Sequence, residues 1–238
     1  MRTPKQTLIV TACALALTGC ASAGPAASDA TSPPATSAPP ASSAPPSDPA
    51  PAPEVPADLP AEALLPATAW PGSPGAREES DGVVDWRLPQ ACAAGTPSDA
   101  VAMRTVAQGT GAEEAAVGVQ QVAVFADADA AVAEADRLAA ALTACTGYAS
   151  DTATTYVVEP LDVGAQGLGL ATDYYGTSAD GDLDGAVGSY LGATRRGTAV
   201  TVVVQEGGES TVAAARETVT GATRAAWELL CAYDSAGC

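Results

Sequence analysis

The sequence predicts an α+β domain: an antiparallel sheet of about six or seven strands with two long amphipathic helices packed on it, preceded by a disordered stalk. Three observations predict it. Short β-branched segments alternate in polarity and are separated by Gly-, Asp- and Ser-rich stretches, the pattern of hairpins rather than of parallel crossovers. Two longer segments repeat apolar residues at three- and four-residue steps, the helical period. Residues 21–60 hold twelve of the nineteen prolines, set among Ala, Ser and Thr; such a stretch buries too little apolar surface to offset the entropy of ordering it.

In chain order, Arg2 and Lys5 precede an apolar run over residues 8–17, closed by small residues. A basic start, a short apolar core and a small-residue cut describe a secretory signal peptide, and a run of roughly ten residues is too short to span a bilayer. Leu17-Thr18-Gly19-Cys20 at its end resembles the bacterial lipobox. That resemblance implies removal of residues 1–19, acylation of Cys20 and tethering to the outer face of the membrane. Each buried methylene of an acyl chain contributes about 0.8 kcal/mol, so such an anchor is long-lived. Residues 20–58 follow as the lipidated cysteine and stalk. At about 3.1 Å per residue the stalk reaches on the order of 100 Å, and its Ser/Thr/Pro makeup suits O-glycosylation.

The folded domain is expected over residues 59–238, long enough for one core. Leu64-Leu65-Pro66 with Trp70 reads as a lead-in that caps the core, broken by Pro71, Pro74 and Gly75. The first strand is expected over 83–88, the second over 101–108 and the third over 117–125. Asp127 and Asp129 open the first helix, where acids suit the exposed amides. Val132, Ala135, Leu138, Ala139, Leu142 and Cys145 form its apolar face, Glu134, Asp136 and Arg137 fall outside it, and Gly147 stops it. Four strands are then expected over 154–161, 168–175, 187–195 and 199–205, the last, most β-branched run being central. Ser210 is the expected cap of the second helix, which buries Val212, Ala215, Val219, Ala222, Ala226 and Leu229 or Leu230, with Trp227 near its end. Both helices are expected on one side or at one end of the sheet.

Composition narrows the chemistry. With 28 acidic against 10 basic residues the net charge is −18, and loss of Arg2 and Lys5 makes it more negative. Such a surface repels phosphates and anionic headgroups, so no nucleic-acid partner is expected. There is no histidine, and the lone lysine lies in the leader. Imidazole triads, His-ligated zinc, Schiff-base lysines and the P-loop ammonium are thereby excluded from the mature chain. Gly109-Thr110-Gly111 lacks the third glycine of a dinucleotide cradle, and Glu113 and Glu114 repel an anion. No cofactor is expected.

Cys13 leaves with the leader and Cys20 carries lipid, so Cys92, Cys145, Cys231 and Cys238 remain for two disulfides in an oxidising compartment. Three pairings are open, of which Cys92–Cys145 with Cys231–Cys238 is favoured. By loop-closure entropy these contribute about 4 and about 2.5 kcal/mol.

Candidate sites are few. Asp180, Asp182 and Asp184 in Asp180-Gly181-Asp182-Leu183-Asp184-Gly185 fit the opening of a calcium loop with its glycine at the sixth position. Leu191 stands where such a loop places a bidentate Glu, so calcium there would be held weakly, and an acidic hairpin tip is the plainer reading. Tyr174, Tyr175 and Tyr190 are candidate ligand contacts, since rings beside carboxylates suit a sugar or a cationic small molecule. Arg195 and Arg196 either pair with acids or seat an anionic ligand. No catalytic residue is nominated.

Taken together, the lipobox, the stalk, the Leu64-Leu65-Pro66 lead-in, the Val122-Ala123-Val124-Phe125-Ala126-Asp127-Ala128-Asp129-Ala130-Ala131 junction closing at Thr143-Ala144-Cys145, and the Arg196-Gly197-Thr198-Ala199-Val200-Thr201-Val202 strand resemble the actinobacterial sensor-domain lipoproteins. Those are similar to the extracellular domain of the PknH-type receptor kinases. The resemblance covers about residues 59–238 and implies an extracytoplasmic, disulfide-bonded α+β domain whose cleft binds an unidentified ligand, with no catalytic residue carried over. The functional expectation is a non-catalytic sensor or ligand-binding lipoprotein on the extracytoplasmic face of the cell membrane. Its expected partners are the membrane through the anchor, a small-molecule or cell-wall ligand, and an envelope protein. A structural or protein-interaction lipoprotein of the wall, or a glycoside hydrolase working through two carboxylates, is the alternative. A pocket, an apolar patch, or two acids facing each other at about 5 to 9.5 Å separates the three readings.

Overall fold

A computed structural model describes residues 55–92, 94–112, 115–145 and 154–238, with the backbone alone at 179 and 180. The leader, Cys20, most of the stalk, Glu113, Glu114 and Gly147 lie outside the described residues. Seven strands are present: β1 (Arg77–Asp81), β2 (Ala100–Gln108), β3 (Val117–Phe125), β4 (Thr155–Pro160), β5 (Ala165–Asp173), β6 (Gly188–Arg196) and β7 (Ala199–Glu206). Two helices accompany them, α1 (Ala128–Thr143) between β3 and β4, and α2 (Val212–Leu229) after β7. The sheet order is β1-β2-β3-β7-β6-β5-β4, and every neighbouring pair is antiparallel.

The central strand is β7, as its β-branched run predicts. Val200, Val202 and Val204 pack with Leu138 and Leu142 of α1, whereas Val203 packs with Val212, Ala215 and Val219 of α2. A strand covered on both faces needs a continuous apolar run instead of alternation. The helices therefore lie on opposite faces of the sheet, which corrects the expectation that they gather on one side. Each apolar helix face needs its own apolar sheet face, and β3 and β7 carry apolar side chains on both.

The expected first strand is also corrected. Edge strand β1 consists of Arg77, Glu78, Glu79, Ser80 and Asp81, registered from Arg77↔Gln108 to Asp81↔Arg104. Glu79 sits between Arg77 at 2.7 Å and Arg104 at 3.0 Å. A charged edge of this kind discourages a further strand from adding. Residues 83–88 instead cross the α1 face as a loop, leaving Val83 and Val84 39% and 48% exposed while Trp86 is buried. Their polar backbone finds other partners: Trp86 N donates to Gly95 O at 3.2 Å and Arg87 N to Gln121 Oε1 at 2.5 Å.

Asp127 caps α1, its carboxylate accepting from Ala130 N at 2.8 Å. The helix buries Ala131, Ala135, Leu138 and Leu142, and also Glu134. In α2 the cap is Thr211 rather than Ser210: the Thr211 hydroxyl accepts from Ala214 N at 3.3 Å. Ser210 is already engaged through its carbonyl, which accepts from Gly188 N at 2.9 Å and ties the helix start to β6. Leu230 is buried and Leu229 exposed. Close approach of α2 depends on Gly192, where a Cβ would stand 2.5 Å from Thr223 Oγ1.

Leu64, Leu65 and Trp70 of the lead-in are buried, Leu65 and Trp70 in the cluster that contains α2. Leu65 N donates to Gln120 Oε1 at 2.6 Å. Disulfides join Cys92 to Cys145 and Cys231 to Cys238, the favoured pairings. Among the described residues no helix is long and apolar enough to cross a membrane.

Candidate functional site

Helix α1 covers only part of its sheet face, and the loop after β1 covers the rest. Three fasteners hold that loop. Gln121 of β3 accepts from Arg87 N and, through Nε2, donates to Asp85 O at 3.2 Å and Thr105 Oγ1 at 3.3 Å. Glu134 of α1 accepts from Trp86 Nε1 at 2.5 Å and from Arg137 at 2.6 and 2.8 Å, and Arg137 in turn donates to Ala94 O. The Cys92–Cys145 bridge is the third. Glu134 was expected off the apolar face, yet it is 7% exposed. It is tolerated there because its carboxylate is fully partnered; a buried charge without partners costs several kcal/mol, roughly.

Between this loop and the strand ends lies a cavity of about 360 Å³. Leu88 and Pro89 form one wall, Tyr156 of β4 and Tyr174 just after β5 the other, and Val204 lies at the base. Tyr156 pairs with Thr172 and Thr172 with Ser189 in the ladder, so three hydroxyls stand in a row across β4, β5 and β6. Among the described residues, the side chains of Tyr156, Thr172, Ser189 and Tyr174 have no hydrogen-bond partner. Burial, reinforced by the neighbouring Tyr174 phenol, pushes the Tyr156 phenol above its ordinary value, which keeps it protonated and able to donate. At the rim Arg87 and Glu206 form a two-pronged pair, Nε–Oε1 2.9 Å and Nη2–Oε2 2.7 Å, so both charges are already matched.

A second cavity of about 530 Å³ shares Tyr174 with the first and is lined further by Tyr175, Val187, Gly207, Gly208 and Glu209. Tyr175 is 62% exposed. The turn presenting it is built on buried Asp173, whose carboxylate accepts from Tyr175 N at 3.0 Å and Ser178 N at 2.7 Å. Burial works to raise the Asp173 carboxyl, but the amide hydrogen bonds of Ser178, Tyr175 and Gly176 together outweigh it and hold the group below its ordinary value.

Of the candidate ligand contacts, the structure brings Tyr174 and Tyr175 together at these cavities and sets the other three elsewhere. Tyr190 is on the α2 face, 1% exposed, its hydroxyl donating to Glu159 at 2.7 Å. Arg216 links Glu159 at 2.7 Å to Asp184 at 2.5 Å. Arg195 and Arg196 stand at the far end of β6, roughly 20 Å along the strand from Ser189 at about 3.3 Å per residue. Arg195 donates to Gln166 Oε1 at 2.7 Å. Arg196 lies 4.0 Å from the Trp227 ring centre and donates to Trp227 O at 3.1 Å and Glu228 O at 3.3 Å, closing the C-terminal end of α2 as a cation does. In the acidic turn, Asp184 is engaged by Arg216, Asp182 accepts from Gly185 N at 3.0 Å, and the Asp180 side chain lies outside what is described. Among the described residues no three or more His, Cys, Asp or Glu gather as metal ligands.

Sequence reasoning missed Arg87, Leu88, Pro89, Gln90, Thr154, Tyr156, Thr172, Ser189 and Glu206. A signal existed in hydroxyl-bearing residues at inward positions of otherwise apolar strands. It is legible only once register is known.

No family model matches the sequence, and no curated protein matches it. Among solved structures, the chain is similar to the extracellular domain of PknH from Mycobacterium tuberculosis, at 14% identity and a TM-score of 0.46, over 70% of this chain and 93% of that one. A likeness of that degree leaves this chain's function to its own residues.

Proposed function

We propose that this chain is a lipid-anchored, extracytoplasmic module that binds a ligand without chemically altering it, acting as a sensor or binding protein of the cell envelope. The observation that carries the reading is the row of hydroxyl-bearing Tyr156, Thr172 and Ser189, with Tyr174, unpartnered among the described residues, beneath a triply fastened loop. Concave sites with apolar walls and a few converging polar groups are where small ligands bind. The hydrolase alternative is disfavoured because the described lining supplies one carboxylate, Glu206, already matched by Arg87, where glycoside hydrolysis uses two. Lipid anchoring is supported by the lipobox at Cys20, and an oxidising compartment by the paired cysteines.

The test uses the protein extracted from native membranes. Mass spectrometry of its N-terminal peptide is expected to find acyl chains on Cys20, and Cys20→Ser to release the protein from the membrane. A thermal-shift screen against wall fragments, sugars, lipids and calcium is expected to raise the midpoint, as any ligand preferring the folded state does. The rise should vanish in Ser189→Trp, which fills the cavity. An unacylated Cys20 ends the anchoring, and a flat screen ends the binding module. The wall-interaction reading would then lead, its surface starting from exposed Val83, Val84 and Val101.

A further inference from the structure

Resting on the reading of the cavity as a ligand site, we infer that its occupant is a linear, uncharged glycan of at least two sugar units, running from the Tyr156 cavity across Tyr174 to Tyr175. Three tyrosines stand along this one path in a chain with six tyrosines and a single phenylalanine. Tyr175 keeps most of its ring in water, which is unfavourable in the free protein and is relieved when a flat apolar surface covers it. The faces of sugar rings are such surfaces, and their edges are hydroxyls that both donate and accept.

The polar groups of the path match that edge. Tyr156, Thr172, Ser189 and Tyr174 offer neutral hydroxyls with no partner among the described residues. An aliphatic lipid tail would leave those hydroxyls buried and unpaired, which is unfavourable. An anionic ligand meets no free cation in the described lining, since Arg87 is held through both Nε and Nη2 by Glu206, and the chain as a whole carries −18. A cationic ligand finds the carboxylate of the inner cavity already matched by the same pair and meets Glu209 at the outer cavity, which the tetralysine peptide tests. The sharing of Tyr174 by the two cavities sets the length, because one sugar reaching into the inner space cannot also cover Tyr175.

The full-length protein in detergent is applied to an array of neutral and anionic glycans, and hits are titrated calorimetrically alongside their monosaccharides, a tetralysine peptide and palmitate. Retention of a neutral oligosaccharide, at least tenfold more tightly than its monosaccharide, is expected. Tyr175→Ala should weaken the oligosaccharide about tenfold and leave the monosaccharide unchanged. Thr172→Val, which keeps shape and removes the hydroxyl, should weaken both while the melting midpoint stays within a few degrees. Preference for a uronide, the peptide or palmitate, abolished by Ser189→Trp, overturns the glycan and leaves the binding module standing. No retention of any neutral glycan overturns the inference, and no binding by any probe overturns both.

Discussion

Gln120 and Gln121 are neighbours on β3 and point to opposite faces, and each does with one amide what no apolar residue in its place could do. Gln120 accepts from Leu65 N and fixes the lead-in; Gln121 accepts from Arg87 N and fixes the wall of the cavity. Extended segments lying across a sheet leave backbone amides that must be satisfied, and a buried amide side chain is a rigid way to do so. Asp173 acts similarly in the turn that presents Tyr175. Because its carboxyl is held below the ordinary 3.8, the contribution is complete at neutral pH and is lost as pH falls below that value, through the folded-state pKa. Urea midpoints of the protein and of Asp173→Asn, measured from pH 7 downward, should therefore differ at neutral pH and converge in acid. A constant gap would show that the charge is not what matters. The tyrosines predict the alkaline limb: burial raises Tyr190 beyond its ordinary 10.0 and pushes Tyr233 up to about 12. Their contribution is present below pH 10 and declines above it, where the unfolded phenols ionise first.

At the scale of elements, the loop from Gly82 to the start of β2 departs from the expected strand and walls the candidate site. Val83, Val84, Trp86 and Leu88 look like a strand because β-branched and aromatic residues are enriched in strands. The competing pull is a side-chain anchor: Trp86 gains more from burial against α1 and from its hydrogen bond to Glu134 than it would at a sheet edge. Trp86→Phe keeps most of the ring and removes the donor. It is expected to cost about 1–3 kcal/mol and to raise amide exchange over residues 82–97 and not in β7; unchanged exchange there would remove Glu134 as a fastener. Replacing Cys92 and Cys145 together by Ser should cost about 4 kcal/mol, the loop-closure contribution of a long loop, read as a lower urea midpoint. The two helices, by contrast, were readable to within a residue or two, since their period is local. Glu134 broke the pattern: Arg137 on the next turn matches its charge, but the segment that buries it, carrying Trp86, lies 48 residues away.

Across the whole molecule, a single sheet forms the middle layer, and its two faces have different cover. The α2 face is closed by small side chains and glycines. At Gly118 a Cβ would stand 2.1 Å from Trp70 Cδ2, so Gly118→Ala should displace Trp70 and cost about 1–3 kcal/mol, seen as a lower melting midpoint with altered tryptophan fluorescence. The α1 face is half helix and half loop, and the cavity lies under the loop half, at the ends of β4 to β7. From residues alone one could derive the strand-rich halves each closed by a helix, the central place of β7, the α1 cap, and the absence of histidine chemistry. All of these rest on local period, composition or capping, which act within a few residues. Which face each helix takes, which hydroxyls share a row, and which tyrosines meet were decided by the tertiary structure. They depend on strand register and on contacts between distant segments, and a shift of one residue in register would turn every side chain of a strand to the other face.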